Sequence, residues 1–92
     1  MNKGELVNAV AARAGISKGD ASRAVESTFE AITQALRQGD DVKLVGFGSF
    51  LVAERAAGEA RNPRTGEKVR VAAQKTPKFR AGQQLRSAVN SQ

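Results

Sequence analysis

The sequence predicts an α+β domain: two helices, a three-stranded antiparallel sheet with a long protruding hairpin, and a short closing helix. Three observations carry that expectation. Residues 1–39 hold two capped segments with helical apolar spacing. Residues 40–75 alternate short apolar runs with Gly, Asn, Pro and Asp turn signals, the pattern of antiparallel strands. The 92-residue chain is 40% hydrophobic and 26% charged, ordinary for one small folded domain.

Asn2 followed by Glu5 gives the first helix an N-cap and a capping-box partner, and Leu6, Val7, Val10, Ala11 and Ala14 fall on one face. Gly15 is placed to stop that helix in the left-handed conformation. Ser17 and Asp20 repeat the capping box, with Ile16 and Ala21 as a hydrophobic staple. The second helix is expected to reach about Gln38, with Gly39 as its stop. Its stripe of Ala21, Ala24, Val25, Thr28, Phe29, Ile32, Ala35 and Leu36 is too broad for one short neighbouring helix to cover. Either the strands cover the rest or another chain does.

Asp40-Asp41 marks a turn, Val42–Val45 a strand, Gly46-Phe47-Gly48 a tight connection, and Ser49–Ala53 a second strand that runs on through Glu54 and Arg55. Residues 53–61 and 67–75 then read as the limbs of a longer hairpin around the turn Asn62-Pro63-Arg64-Thr65-Gly66, and Pro77 is expected to close the strand region. Limbs of about nine residues reach roughly 30 Å at about 3.3 Å per residue. They are alanine-rich and polar, so this ribbon is expected to be mobile when free. Gln83–Asn90 forms the last helix, with Leu85, Ala88 and Val89 inward and Ala81 as a poor cap. Phe29, Phe79, Leu44, Ile32 and Leu36 are expected core, and Phe47 and Phe50 are expected in the core or a dimer interface. The whole chain reads as one domain, with residues 1–39 a helical base, 40–81 the sheet and arm (the arm about 54–75), and 82–92 the terminal helix.

Charge is unevenly distributed. The net charge is +6, with a pI near 10.6. Residues 1–53 carry six basic and six acidic side chains, whereas residues 54–80 carry eight basic and three acidic. The excess therefore sits on the long hairpin, which points to a polyanion as partner. At the tip, a rigid proline flanked by arginines matches a device of minor-groove architectural proteins, in which an apolar wedge enters between base steps while cations hold the phosphates. The turn geometry alone explains the proline and glycine but not the arginines on both sides.

Other functions find little support. There is no His and no Cys, which removes the commonest general base, the best thiol nucleophile and any disulfide. Asp40-Asp41 is the only adjacent acidic pair and suits a turn better than a metal site, so neither a metal nor a cofactor is expected. Gly46-Phe47-Gly48 is a poor phosphate loop, since no helix follows it. No apolar run approaches a membrane span or a signal peptide, so no membrane partner and a cytoplasmic location are expected.

The segments GFGSF (46–50) and ARNPRTGEKVRV (60–71), with Arg55, the start MNKGELVNAVA, LVGFGSF and the ending PKFRAGQQLRSAV, resemble the bacterial HU/IHF family of DNA-bending nucleoid proteins, nearer HU. The resemblance spans the whole chain. It implies an intertwined homodimer (or a heterodimer with a paralogue) whose sheets form a saddle and whose two arms wrap double-stranded DNA through the minor groove, with low sequence specificity, in the nucleoid. It implies that Pro63 intercalates and that Arg55, Arg61, Asn62, Arg64, Thr65, Lys68, Arg70 and Lys75 line the arm and saddle. Lys3, Lys78, Arg80 and Arg86 become candidate phosphate contacts on the body. One departure stands out: many HU-like chains carry a basic or hydroxyl residue where this chain has Gly58 and then Glu59. An RNA- or ribosome-associated basic protein is the alternative, although RNA is usually read by bases stacked on aromatics and this chain has neither Tyr nor Trp. A purely structural dimerisation module is a third reading.

Overall fold

The computed structural model describes residues 1–91. Helix α1 spans Lys3–Ala14 and α2 Lys18–Arg37. Both begin where the caps require. The Asn2 side chain accepts the Glu5 N–H at 2.8 Å, and Ser17 Oγ accepts the Asp20 N–H at 3.1 Å. The Asp20 carboxylate pairs with Arg23 one turn on. Both helices end in Schellman motifs: the Ile16 N–H donates to Ala11 O and the Asp40 N–H to Ala35 O, with Gly15 and Gly39 at φ +68° and +84°. Thr28, which sits in the apolar stripe, satisfies its hydroxyl by donating to Ala24 O at 2.7 Å.

Strand β1 covers Val42–Leu44 and β2 Gly48–Arg55. A tight turn joins them, closed by the Phe47 N–H on Leu44 O at 2.9 Å, with Gly46 at φ +84°. Strands β3 (Gly58–Arg61) and β4 (Lys68–Val71) form a separate two-stranded sheet, and β5 (Gln74–Ala81) returns to the body. The body sheet has the order β1-β2-β5, all antiparallel. Helix α3 spans Gln83–Val89.

Four expectations need correction. Pro77 does not close the strand region: it lies inside β5, opposite Val52. β5 is an edge strand, where a missing N–H donor is tolerated. The long hairpin is not one ladder. Pairing stops after Arg55↔Gln74 and resumes at Gly58↔Val71, leaving Ala56-Ala57 facing Ala72-Ala73 unpaired. Alanine is a weak strand former and offers no cross-strand packing to hold such pairs. The cap of α3 is Gly82 rather than Ala81, and no side chain caps it; the Gly82 N–H instead donates to Phe47 O at 2.8 Å.

The fourth correction concerns the core. Among the described residues the only buried hydrophobic side chains are Ala11, Ala21 and Val25; Gly48, which has no side chain, is also buried. Phe29, Leu44 and Phe79 are not core residues of the single chain, being 40–47% exposed, and Val89 does not point inward, at 75%. Ile32, Leu36 and Leu85 are half-buried. Phe47 and Phe50 flank Phe79 at ring-centroid distances of 5.6 and 4.9 Å, forming a cluster that is open on one side. A 280 Å³ groove between α1 and α2, lined by Leu6, Val10, Ala24, Val25, Thr28 and Phe29, is likewise open. Three of the four phenylalanines, Phe29, Phe47 and Phe79, are therefore exposed in the single chain.

The extents are 58 × 34 × 25 Å and the radius of gyration is 18.8 Å, against about 12 Å for a compact chain of this length. The arm accounts for the elongation.

Candidate nucleic-acid interface

The register of the body sheet sorts its side chains onto two faces, because successive residues alternate. One face carries Phe50, Val52 and Glu54 opposite Phe79, Pro77 and Lys75. The other carries Ser49, Leu51, Ala53 and Arg55 opposite Arg80, Lys78, Thr76 and Gln74. Arg55, Lys78 and Arg80 thus share one face, with short or uncharged side chains between them. Lys75 stands on the opposite face, where its Nζ lies 3.9 Å from the Glu54 carboxylate. Sequence pattern alone did not separate Lys75 from the other three. The same register places Lys43, on β1, beside Ser49 on the cationic face. Lys43 was missed because its neighbours in sequence are apolar and the cluster forms only across strands.

The arm repeats the division. Glu59 pairs with Arg70 and Arg61 with Lys68 on one face, while Gly58, Ala60, Val69 and Val71 form the other. The gap between the two ladders is two residues on each limb, so the pairing on its far side, Gly58↔Val71 to Arg61↔Lys68, stays in step with that of the body sheet. By that register Arg55, Arg61, Lys68 and Arg70 fall on the same side of the hairpin as Lys78 and Arg80.

Local contacts qualify several of these cations. Lys68 Nζ is 4.0 Å from the Glu59 carboxylate, and both side chains are exposed. Arg55 spans the unpaired alanines: its Nη2 donates to Ala72 O at 3.1 Å and to Gln74 Oε1 at 3.0 Å. Lys3 Nζ donates to Glu26 at 2.8 Å, tying the start of α1 to α2. That hydrogen bond, and then the lysine charge, hold the Glu26 carboxyl below the usual carboxylate range. Arg86 stands exposed on α3, away from the sheet ladder.

The tip is built by its own side chains. Asn62 Oδ1 accepts the Arg64 N–H at 2.9 Å, and Thr65 Oγ1 accepts the Glu67 N–H at 3.3 Å, an Asx turn followed by a weaker hydroxyl counterpart. The backbone closes the loop with the Asn62 N–H on Glu67 O at 2.8 Å and the Gly66 N–H on Asn62 O at 2.7 Å, Gly66 lying at φ +74°. Asn62 and Thr65 thus have a visible structural task. Pro63 and Arg64 are exposed beyond them. Among the described residues no cluster of three or more metal-ligating side chains occurs, and no helix is long and apolar enough to cross a membrane.

A family model described as "bacterial DNA-binding protein" matches residues 1–90. The chain is 57% identical over 90 residues to the DNA-binding protein HU-1 of Halalkalibacterium halodurans, covering 98% of this chain and all of the relative. It is 52% identical, at the same coverage, to the DNA-binding protein HU-beta of Escherichia coli. Among solved structures, an Anabaena HU–DNA cocrystal superposes with a TM-score of 0.83 at 47% identity over the full length of both chains. HU from Thermotoga maritima superposes at 0.68 with 34% identity, over 97% of this chain and 98% of that one.

Proposed function

The chain belongs to the bacterial DNA-binding protein family, with HU proteins as close relatives, and from that premise we propose that it is a nucleoid architectural protein that binds and bends double-stranded DNA. The observation that carries the proposal is the cationic face that keeps one phase from the body sheet into the arm. A two-stranded ribbon of this width suits groove entry. Arg61, Arg64, Lys68 and Arg70 on the arm, with Arg55, Lys78 and Arg80 on the body, hold phosphates, while Lys3, Lys75 and Arg86 serve as peripheral cations. Pro63, at the exposed tip, enters between base steps of the minor groove; Asn62 and Thr65 hold the loop that presents it. Binding draws on counterion release and on how readily the duplex deforms, with little reading of base edges. None of the four phenylalanines lies on the cationic face, which favours duplex DNA over single-stranded RNA read by stacking.

The working unit is a homodimer. The single chain exposes 7511 Å², against about 5,100 Å² for a compact monomer of 9.7 kDa. Obligate dimer interfaces commonly bury about 2,000 Å² or more. Phe29, Phe47, Leu44, Phe79 and Val89 supply apolar surface for such an interface.

The test combines duplex binding over a salt series with ring closure of short DNA. The expected result is a log–log slope of about −0.9 per phosphate neutralised, together with faster ring closure. A flat salt response, or closure no faster than for naked DNA, defeats the proposal.

A further inference from the structure

We infer that Lys43, Ser49 and Arg80 form a phosphate-binding row across the body sheet, extending the DNA track from the β2–β5 hairpin onto the edge strand β1. The inference rests on the DNA-binding reading above and adds a contact residue to it.

The row follows from register. Lys43 pairs with Ser49, and Ser49 with Arg80, so the three stand side by side on three neighbouring strands. The pleat puts all three on the face that also carries Lys78 and Arg55. Strands lie about 4.8 Å apart, so the backbones of Lys43 and Arg80 are separated by about 10 Å, with a hydroxyl between them. Lys78 is the next residue but one along β5 from Arg80, and Arg55 lies six residues along β2 from Ser49. The cationic face thus gains width as well as length.

Lys43 is also uncommitted. Lys3, Lys68 and Lys75 each have a glutamate oxygen within 2.8–4.0 Å, whereas neither Lys43 nor Arg80 has an ion-pair partner among the described residues. Asp41, two residues before Lys43, lies ahead of the strand and forms no ion pair with it. An unpaired, exposed lysine on a face shared with three other cations neutralises a bound phosphate without first giving up an internal partner.

The experiment measures duplex affinity by fluorescence anisotropy between 50 and 200 mM salt for the parent, Lys43→Gln, Lys43→Arg and Arg13→Gln. Arg13 lies in the last turn of α1 and serves as a charge-matched control. Lys43→Gln is expected to flatten the slope by about 0.9 per chain, so that the fourfold rise in salt costs about 3.5-fold less affinity per chain than in the parent. Lys43→Arg restores the parent slope. Either an unchanged slope in Lys43→Gln or an equal flattening in Arg13→Gln overturns the row, because the second result makes the effect one of net charge alone. A parent that binds no duplex overturns the DNA reading itself, and the row falls with it. As a second measurement in the unaltered protein, the Lys43 side-chain NMR signal is expected to shift on duplex addition; a signal that stays fixed through saturation also overturns the inference.

Discussion

Replacing Glu59 with Gln removes the one anion on the charged face of β3–β4 and should make DNA binding tighter and more sensitive to salt. The side chain faces Arg70 across the ladder and sits 4.0 Å from Lys68 Nζ. Both partners of that ion pair are more than 60% exposed, so its own contribution to arm stability is at most about 1 kcal/mol. The ladder bonds of Glu59 are made by its backbone, and glutamine keeps them. On the DNA side the change matters more. Lys68 is freed to neutralise a phosphate, which steepens the salt slope by up to about 0.9 per arm and about 1.8 for two arms. Between 50 and 200 mM salt that difference amounts to an extra loss of about twelvefold, starting from tighter binding at the low-salt end. Fluorescence anisotropy on one labelled duplex measures both quantities, with Glu30→Gln on α2 as the control for net charge. A Glu59→Gln slope equal to the parent's, or weaker binding at 50 mM, refutes the reasoning, since Lys68 is then no more available without its counter-ion than with it.

Three further outcomes are expected. Pro63→Ala should reduce DNA bending, read by FRET between duplex ends, more than it reduces affinity, because the wedge is lost while the flanking arginines remain; unchanged bending rules out the wedge. Gly48→Ala should destabilise the fold by about 1–3 kcal/mol in urea unfolding, because a Cβ there would come within 2.6 Å of both the Phe79 ring and Arg80 O. A parent-like midpoint would refute this, because the Arg80 carbonyl belongs to the backbone and cannot swing aside as the Phe79 ring can. Lys3→Met should raise the Glu26 carboxyl toward its ordinary value in an NMR titration, since Lys3 is what lowers it. The sign for stability follows: the folded carboxyl titrates below its unfolded value, so the pair's contribution is present above the unfolded value and is lost as pH falls through the folded one. Losing Lys3 should therefore weaken the protein at neutral pH and leave it unchanged once the carboxyl is protonated in both states; a Glu26 titration identical to the parent's would refute the assignment.

Much of this arrangement was legible in the residues because it is local. Asn2, Ser17, Gly15 and Gly39 set the helix limits through bonds that span at most five residues. The tip was legible for the same reason, since Asn62, Thr65 and Gly66 each close a bond inside the loop. What escaped depends on distant partners. Whether Lys75 or Lys43 joins the cationic face is decided by strand register, which neither residue reveals alone. Pro77 reads as a strand breaker until β5 is known to be an edge. Phe29 and Phe79 read as core because they are apolar, but with Ala11, Ala21 and Val25 its only buried hydrophobic side chains the single chain has too little body to enclose them. Ala56-Ala57 and Ala72-Ala73 read as parts of two continuous limbs, and only the ladder shows that they interrupt the pairing.

Those four alanines set a rule for how arms of this kind can change length. Dropping one alanine from each limb would shorten the arm by one step and, because side chains alternate, turn its basic surface away from the duplex. Dropping two from each limb would shorten it by about 7 Å and leave that surface where it was. Dropping one from a single limb would throw the two strands out of step. Viable arm lengths are thus quantised in four-residue increments, two per limb, with the alanine spacer as the place where such increments cost least.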